Sequence, residues 1–222
     1  MRKQISIIAR LCLPTVLLVA SSPAASVPDW VRQAANQTLP AYDPETKAVV
    51  LLDEGVLTVN APNEFLYHQR RVVKVLRPEG REEGDLAVPL HKLEKLLFIH
   101  AWSIDRAGRE YELKDKDFSE FSPYTYELYS DIRSLRAKAP SSEQGSIIAF
   151  EYEIRQHPWV PRFDWYFQEM TPVRDSHLTV QLPAGWEFKT SWSGMPLSSP
   201  LKPETTHGNG QCAISPASNP SP

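Results

Sequence analysis

The sequence predicts a mainly β protein: a β-sandwich-like single domain with a short N-terminal helix and a disordered C-terminal tail. Three observations carry that prediction. Period-two alternation recurs in short runs rich in β-branched and aromatic residues, with Ile148, Phe150, Tyr152 and Ile154, and then Leu178, Val180 and Leu182, as the clearest sets. Turn signals built on Pro, Asp and Gly separate these runs, while helical periodicity is confined to one brief segment. From Pro196 onward Ser, Pro, Thr, Gly and Asn dominate, and such a stretch buries too little apolar surface to offset the entropy of ordering.

The N-terminus reads as a secretory signal peptide over residues 1–25. Arg2, Lys3 and Arg10 supply a positive region, Leu11 to Ala20 an apolar one, and Ser22-Pro23-Ala24 small residues for cleavage near Ala24 or Ala25. The apolar run is shorter than the roughly 20 residues a spanning helix needs, so membrane contact is expected only through this transient segment. The expected location is periplasmic or secreted. The β-rich domain then occupies residues 26–195 and the tail residues 196–222.

Within the domain, Val27 to Ala35 reads as a short helix with Asp29 as its N-cap. Pro40 and Pro44 bracket a linker. Ala48 to Leu52 and Val56 to Val59 flank Asp53-Glu54-Gly55, which reads as a three-residue hairpin loop with glycine in the left-handed position. A strand is expected over Glu64 to Leu76, closed by Pro78-Glu79-Gly80. Ala87 to Leu90 follows as a short strand that Pro89 pushes to a sheet edge. Leu96 to Ile104 turns through Asp105-Arg106-Ala107-Gly108 into Tyr111-Glu112-Leu113, with the Asp side chain bonding backbone and Gly tolerating positive φ. Phe118, Phe121, Tyr124, Tyr126 and Tyr129 form an aromatic crossing into Ser130–Ile154. There a short apolar segment, a Pro140-to-Gly145 turn and the strand Ile147 to Ile154 follow one another. Ser176 to Leu182 and Trp186 to Lys189 supply the last strands.

The net charge is −3 with acids and bases interspersed, so no basic stripe argues for nucleic acid. Of two cysteines, Cys12 falls in the signal, which leaves Cys212 alone and excludes an internal disulfide. Cys212 also sits in the expected tail, without the shaped electropositive surroundings a catalytic thiolate needs. The histidines His68, His91, His100, His157, His177 and His207 show no metal-ligand spacing, although His68, His100 and His177 fall on strands that could converge. Glu151 and Glu153 share a strand face and read as solvated surface carboxylates rather than an acid/base pair. No catalytic, cofactor-binding or metal residues are therefore assigned. The aromatic group from Trp159 to Phe167 is the one candidate for binding, through Trp159, Trp165 and Tyr166 as a surface for sugar or peptide; core packing is the competing expectation.

Several signatures occur in a fixed order: Asp43 with Ala48 to Glu54, Tyr67 to Leu76, Ile104 to Gly108, Tyr129-Ser130-Asp131, Gly145 to Ile148 with Glu151-Tyr152-Glu153, and Pro172-Val173 leading to Ser176, Leu178 and Pro183. Over residues 40–195 this order resembles the exported bacterial family known as domain of unknown function 3857. The resemblance implies a β-rich module without an established catalytic role, commonly placed before a transglutaminase-like domain with a papain-like Cys-His-Asp site. Here a Pro/Ser-rich tail stands where that family continues, which implies a stand-alone version or a truncated reading frame. The expected function is an exported non-catalytic accessory or interaction domain, whose partner is a transglutaminase-like domain or another envelope protein. Two alternatives remain open: a carbohydrate- or peptide-binding module, and a hydrolase or transferase with an unrecognised site.

Overall fold

The longest strands form where alternation of apolar side chains persists longest, and they assemble into one large sheet. A computed structural model describes residues 27–121, 132–193, 206–207 and 211–216. The expected signal peptide, the aromatic crossing at Tyr124, Tyr126 and Tyr129, and most of the expected tail lie outside them. The elements are α1 (Asp29–Ala35), β1 (Ala48–Ala61), β2 (Glu64–Val75), β3 (Asp85–His91), β4 (Glu94–Ile104), β5 (Glu110–Leu113), β6 (Ser119–Phe121), β7 (Ile132–Lys138), β8 (Ile147–Gln156), β9 (Phe163–Tyr166), β10 (Ser176–Gln181), β11 (Phe188–Ser193), β12 (Thr206–His207) and β13 (Gln211–Pro216). The protein is mainly β. No helix among the described residues is long and apolar enough to cross a membrane.

A seven-stranded sheet runs β12-β10-β1-β2-β8-β4-β5, and two three-stranded sheets, β3-β7-β6 and β11-β13-β9, accompany it. All pairs are antiparallel except β1 with β10. The sheet β3-β7-β6 covers one half of the large sheet's inner face: Leu86, Val88 and Leu90 join Val75, Ile99, Ala101, Ile148 and Ile154 in one core. Strand β9 covers the other half, where Trp165 and Phe167 pack with Leu57, Val59, Phe65, Tyr67, Leu178 and Val180. Side chains alternate between faces along each strand, so the residues between these belong to the opposite face. Helix α1 covers part of that outer face.

Seven residues make too short a helix to persist alone, so α1 depends on docking. Val27, Val31 and Ala34 bury against Val49, Leu51, Val72 and Ala149, and Trp30 meets Trp102 edge-on at 5.9 Å. Arg32 grips both oxygens of Glu110 at 3.0 and 2.9 Å, while Val27 N–H donates to the same carboxylate. The N-cap position is Pro28, with no side-chain cap, rather than the expected Asp29; Asp29 is the first helical residue and pairs with Arg32 at 3.0 Å. A carboxylate inside the first turn still favours the helix through the positive N-terminal end of the dipole.

The expected hairpin at Asp53-Glu54-Gly55 is absent. Residues 48–61 form one strand of 14 residues, bulged near Leu51, that pairs with β2 throughout. The loop-like residues serve packing instead. A Cβ at Gly55 would lie 2.7 Å from Cζ3 of Trp165, so glycine lets the indole settle on the strand. Asp53 is 2% exposed and held by side chains of β2.

Other expectations agree with the structure. Strand β3 lies at a sheet edge with Pro89 in it. The turn after β4 forms as read: Asp105 Oδ1 accepts from the amides of Ala107 and Arg109, and Gly108 has φ +82°. Within the stretch expected as a tail, β12 pairs with β10, and β13 bridges β9 and β11. Cys212 lies in β13, in register with Trp165 and Trp192.

Candidate functional site

Three polar or amphipathic places stand out. The first is buried between the two halves of the inner core. Asp53 accepts from Gln69 Nε2 at 2.6 Å and from Arg71 Nη1 at 3.2 Å, and Arg71 reaches on to both oxygens of Glu169 at 3.0 and 2.7 Å. Tyr152 O–H donates to Gln69 Oε1 at 2.5 Å. Burial pushes the Asp53 carboxyl above its ordinary range, opposed by Arg71 and the Gln69 bond. Burial likewise raises the phenols of Tyr67 and Tyr152. Every member is engaged, and the cluster ties the segment before β10 to the central strands. The backbone completes that tie: Val50 N–H donates to Pro172, and Arg174 N–H to Val50.

The second place is a ladder of charges across the outer face. His177, Glu54, Arg70, Glu151 and His100 occupy one row on five adjacent strands. Arg70 Nε and His68 Nε2 both reach Glu151 Oε1 at 2.8 Å. A carboxylate only accepts, so His68 carries its proton on Nε2. The His68 hydrogen bond, then Arg70, hold the Glu151 carboxyl below its ordinary range against the opposing effect of burial. Arg70 also sits 5.3 Å from the ring centre of Trp30. The expectation of a solvated Glu151 is corrected here: its side chain is only 15% exposed and is bonded to His68 and Arg70 of β2. His68, His100 and His177 do share a sheet face, but among the described residues no group of three or more His, Cys, Asp or Glu is placed to hold a metal.

The third place is a cleft of about 790 Å3 at one end of the molecule. The β3–β4 turn supplies His91, Lys92, Leu93 and Glu94, and the β8–β9 connection supplies Gln156, His157, Trp159, Arg162 and Asp164. Its walls are braced by hydrogen bonds. Glu94 accepts from Gln156 Nε2 and from His91 N–H, both at 2.9 Å. His157 N–H donates to Leu93, and His157 Nδ1 meets the Asn63 carbonyl at 3.0 Å. Arg162 donates from Nε and Nη2 to Asp164 at 3.0 and 2.9 Å. Trp159 is 91% exposed on this rim, beside exposed Val160 and Leu93.

The expected three-ring surface is therefore divided. Trp159 is exposed and Tyr166 is 53% exposed, but Trp165 is 4% exposed, with its indole N–H donating to Ser176 Oγ at 3.2 Å. The cause is strand parity: within β9, Phe163 and Trp165 face the core while Asp164 and Tyr166 face out. Sequence reasoning missed the polar cleft residues, which come from segments more than 60 positions apart. One local signal was present: Pro158-Trp159-Val160-Pro161 sets large apolar residues between two prolines, where no strand can bury them.

Comparison with known proteins places these features in context. Residues 61–214 match the family described as "Domain of Unknown Function with solved-structure structure (DUF3857)". The match begins later and ends later than the resemblance read over residues 40–195, and it takes in most of β13. No curated protein matches. A crystal structure from Parabacteroides distasonis, described as a candidate protease, superposes with a TM-score of 0.61 at 16% identity, over 76% of this chain and 34% of that one. An M1 zinc metallopeptidase from Deinococcus radiodurans aligns over 77% of this chain and 38% of its own at 11% identity and a TM-score of 0.34. Yeast LTA4 hydrolase in complex with bestatin aligns over 85% and 30%, at 11% identity and 0.36. The first likeness shows a shared fold; the other two superpose too loosely to carry an argument. The chain spans about a third of the length of these proteins. With the residues matched and the fold shared, this chain belongs to the DUF3857 family.

Proposed function

We propose that the chain is an exported, non-catalytic accessory domain that recognises a component of the cell envelope, with chemistry left to a transglutaminase-like domain or another envelope protein. The observation that carries this reading is the braced cleft with Trp159 fully presented on its rim. A large aromatic side chain kept in water, beside exposed Val160 and Leu93, costs solvation unless something covers it. The polar clusters elsewhere fit a scaffold role, since Asp53, Arg71, Glu169, Glu151 and Arg70 spend their hydrogen bonds on one another. The expected signal peptide supports the envelope as the place of action.

The test is sedimentation of the purified chain with an isolated cell-envelope fraction, comparing it with a Trp159→Ala, Val160→Ser variant. Both residues are exposed, so the unfolding midpoint should stay where it is. The expected result is a loss of binding of about tenfold, the scale of a hot-spot aromatic. Equal sedimentation of the two proteins would overturn the reading.

A further inference from the structure

We infer that the cleft between the β3–β4 turn and the β8–β9 connection is a site for a neutral oligosaccharide; this rests on the reading of the chain as a recognition domain and names its ligand class. Three features of the cleft converge on a sugar. The size is right, because about 790 Å3 falls within the range of pockets that enclose small ligands. The charge is balanced: Lys92 and Arg162 stand against Glu94 and Asp164, so neither an anion nor a cation is favoured by net field.

The third feature is the kind of group on offer. Trp159 presents a flat apolar ring, which suits the C–H face of a pyranose. Around it stand planar polar side chains whose orientations are already set. Glu94 and Gln156 hold each other, and Arg162 holds Asp164 through a single carboxylate oxygen, Oδ1. Oδ2 of Asp164 and Nη1 of Arg162 lie outside that contact, and Oε1 of Gln156 lies outside the bond to Glu94. A sugar hydroxyl both donates and accepts, so mixed arrays of carboxylate, amide and guanidinium groups match it. Holding them in advance reduces the ordering cost of binding.

An extended peptide is the competing ligand, and the backbone argues against it. Strand addition needs free main-chain donors along the groove. Here the His91 amide is taken by Glu94, the His157 amide by Leu93 and the Arg162 amide by Val160. The strands at Glu94 and Gln156 are already paired with each other. Strand β9 is a sheet edge, but it offers only Phe163 and Asp164 to the cleft, a run too short to hold an extended peptide by strand addition, so side chains carry the recognition.

The experiment titrates the full chain with a neutral N-acetylglucosamine tetramer and a cellulose-derived tetramer, read by calorimetry and tryptophan fluorescence. Saturable binding to either is expected, with the fluorescence change lost in Trp159→Ala. Affinity should fall about tenfold in Trp159→Ala and in Asp164→Ala, and stay within a few-fold of the parent in Trp159→Phe, which keeps a ring. Absence of binding at millimolar sugar, or an affinity left unchanged by Trp159→Ala, would overturn the inference. A random decapeptide pool is titrated in parallel. Trp159-dependent capture of peptide without sugar binding overturns the saccharide assignment and leaves the recognition reading standing. Failure of the parent chain to sediment with the envelope fraction as well would remove both.

Discussion

At the scale of single residues, two positions show how an unreactive side chain, or none, sets the architecture. Gly55 lies in an extended strand, so its need is space rather than backbone freedom: a Cβ would meet Trp165 at 2.7 Å. Gly55→Ala should destabilise by about 1–3 kcal/mol through overpacking, measured by urea unfolding, and Trp165→Leu in the same chain should recover part of that loss. Arg71 is the other. It stands between the Asp53 and Glu169 carboxylates, with Asp53 sealed from water. Arg71→Met should cost about 3–5 kcal/mol, because the change strands a buried charge rather than merely deleting a pair. The same variant should raise the Asp53 pKa further in an NMR titration, since Arg71 is the main group holding it down against burial.

Elements show which parts of the fold were legible in the sequence. Strands β8 and β10 were, because each alternates over a span long enough for period two to be read directly, whereas β2 was placed as a strand but its imperfect alternation hid which face turns inward. The turn Asp105 to Gly108 was legible because its side-chain bonds are local. Strand β1 was misread as a hairpin because Asp53 and Gly55 are turn residues by local chemistry, and only their distant partners, Arg71 and Trp165, give them another use. The same limit governed the aromatic cluster. Composition put Trp165 and Tyr166 together, while parity sent them to opposite faces. The parallel pairing of β1 with β10 leaves no local trace at all.

The outer face of the large sheet carries a pH prediction at this scale. Glu151 on β8 has its folded-state pKa depressed, chiefly by the His68 bond and also by Arg70. The stabilisation it provides is therefore present above the ordinary carboxylate value of 4.5 and lost as pH falls through the depressed value. Thermal melts of the parent and Glu151→Gln should differ above pH 4.5 and converge as the pH drops below it. A gap that persists undiminished well below pH 4.5 would contradict the ladder. Asp53 has the opposite sign, since its raised value makes its contribution largest in acid and diminishes it as pH rises.

For the whole molecule, the arrangement is a layered body with the proposed recognition cleft where two of its turns meet. The large sheet is braced on its inner face by two small sheets and on its outer face by α1 and the charge ladder. The cleft lies where the β3–β4 turn and the β8–β9 connection meet, fastened to the β1–β2 turn through His157 and Asn63. Only the Trp159 corner of that site was visible in the sequence; its polar walls arise from register, as when β4 pairs Glu94 with Gln156. The most direct test of this account is hydrogen–deuterium exchange of the full chain with and without the cell-envelope fraction. Added protection is expected over residues 91–94 and 156–164, with the outer-face strands unchanged. Protection centred on the His68–Glu151 face, with the cleft segments unaffected, would contradict it.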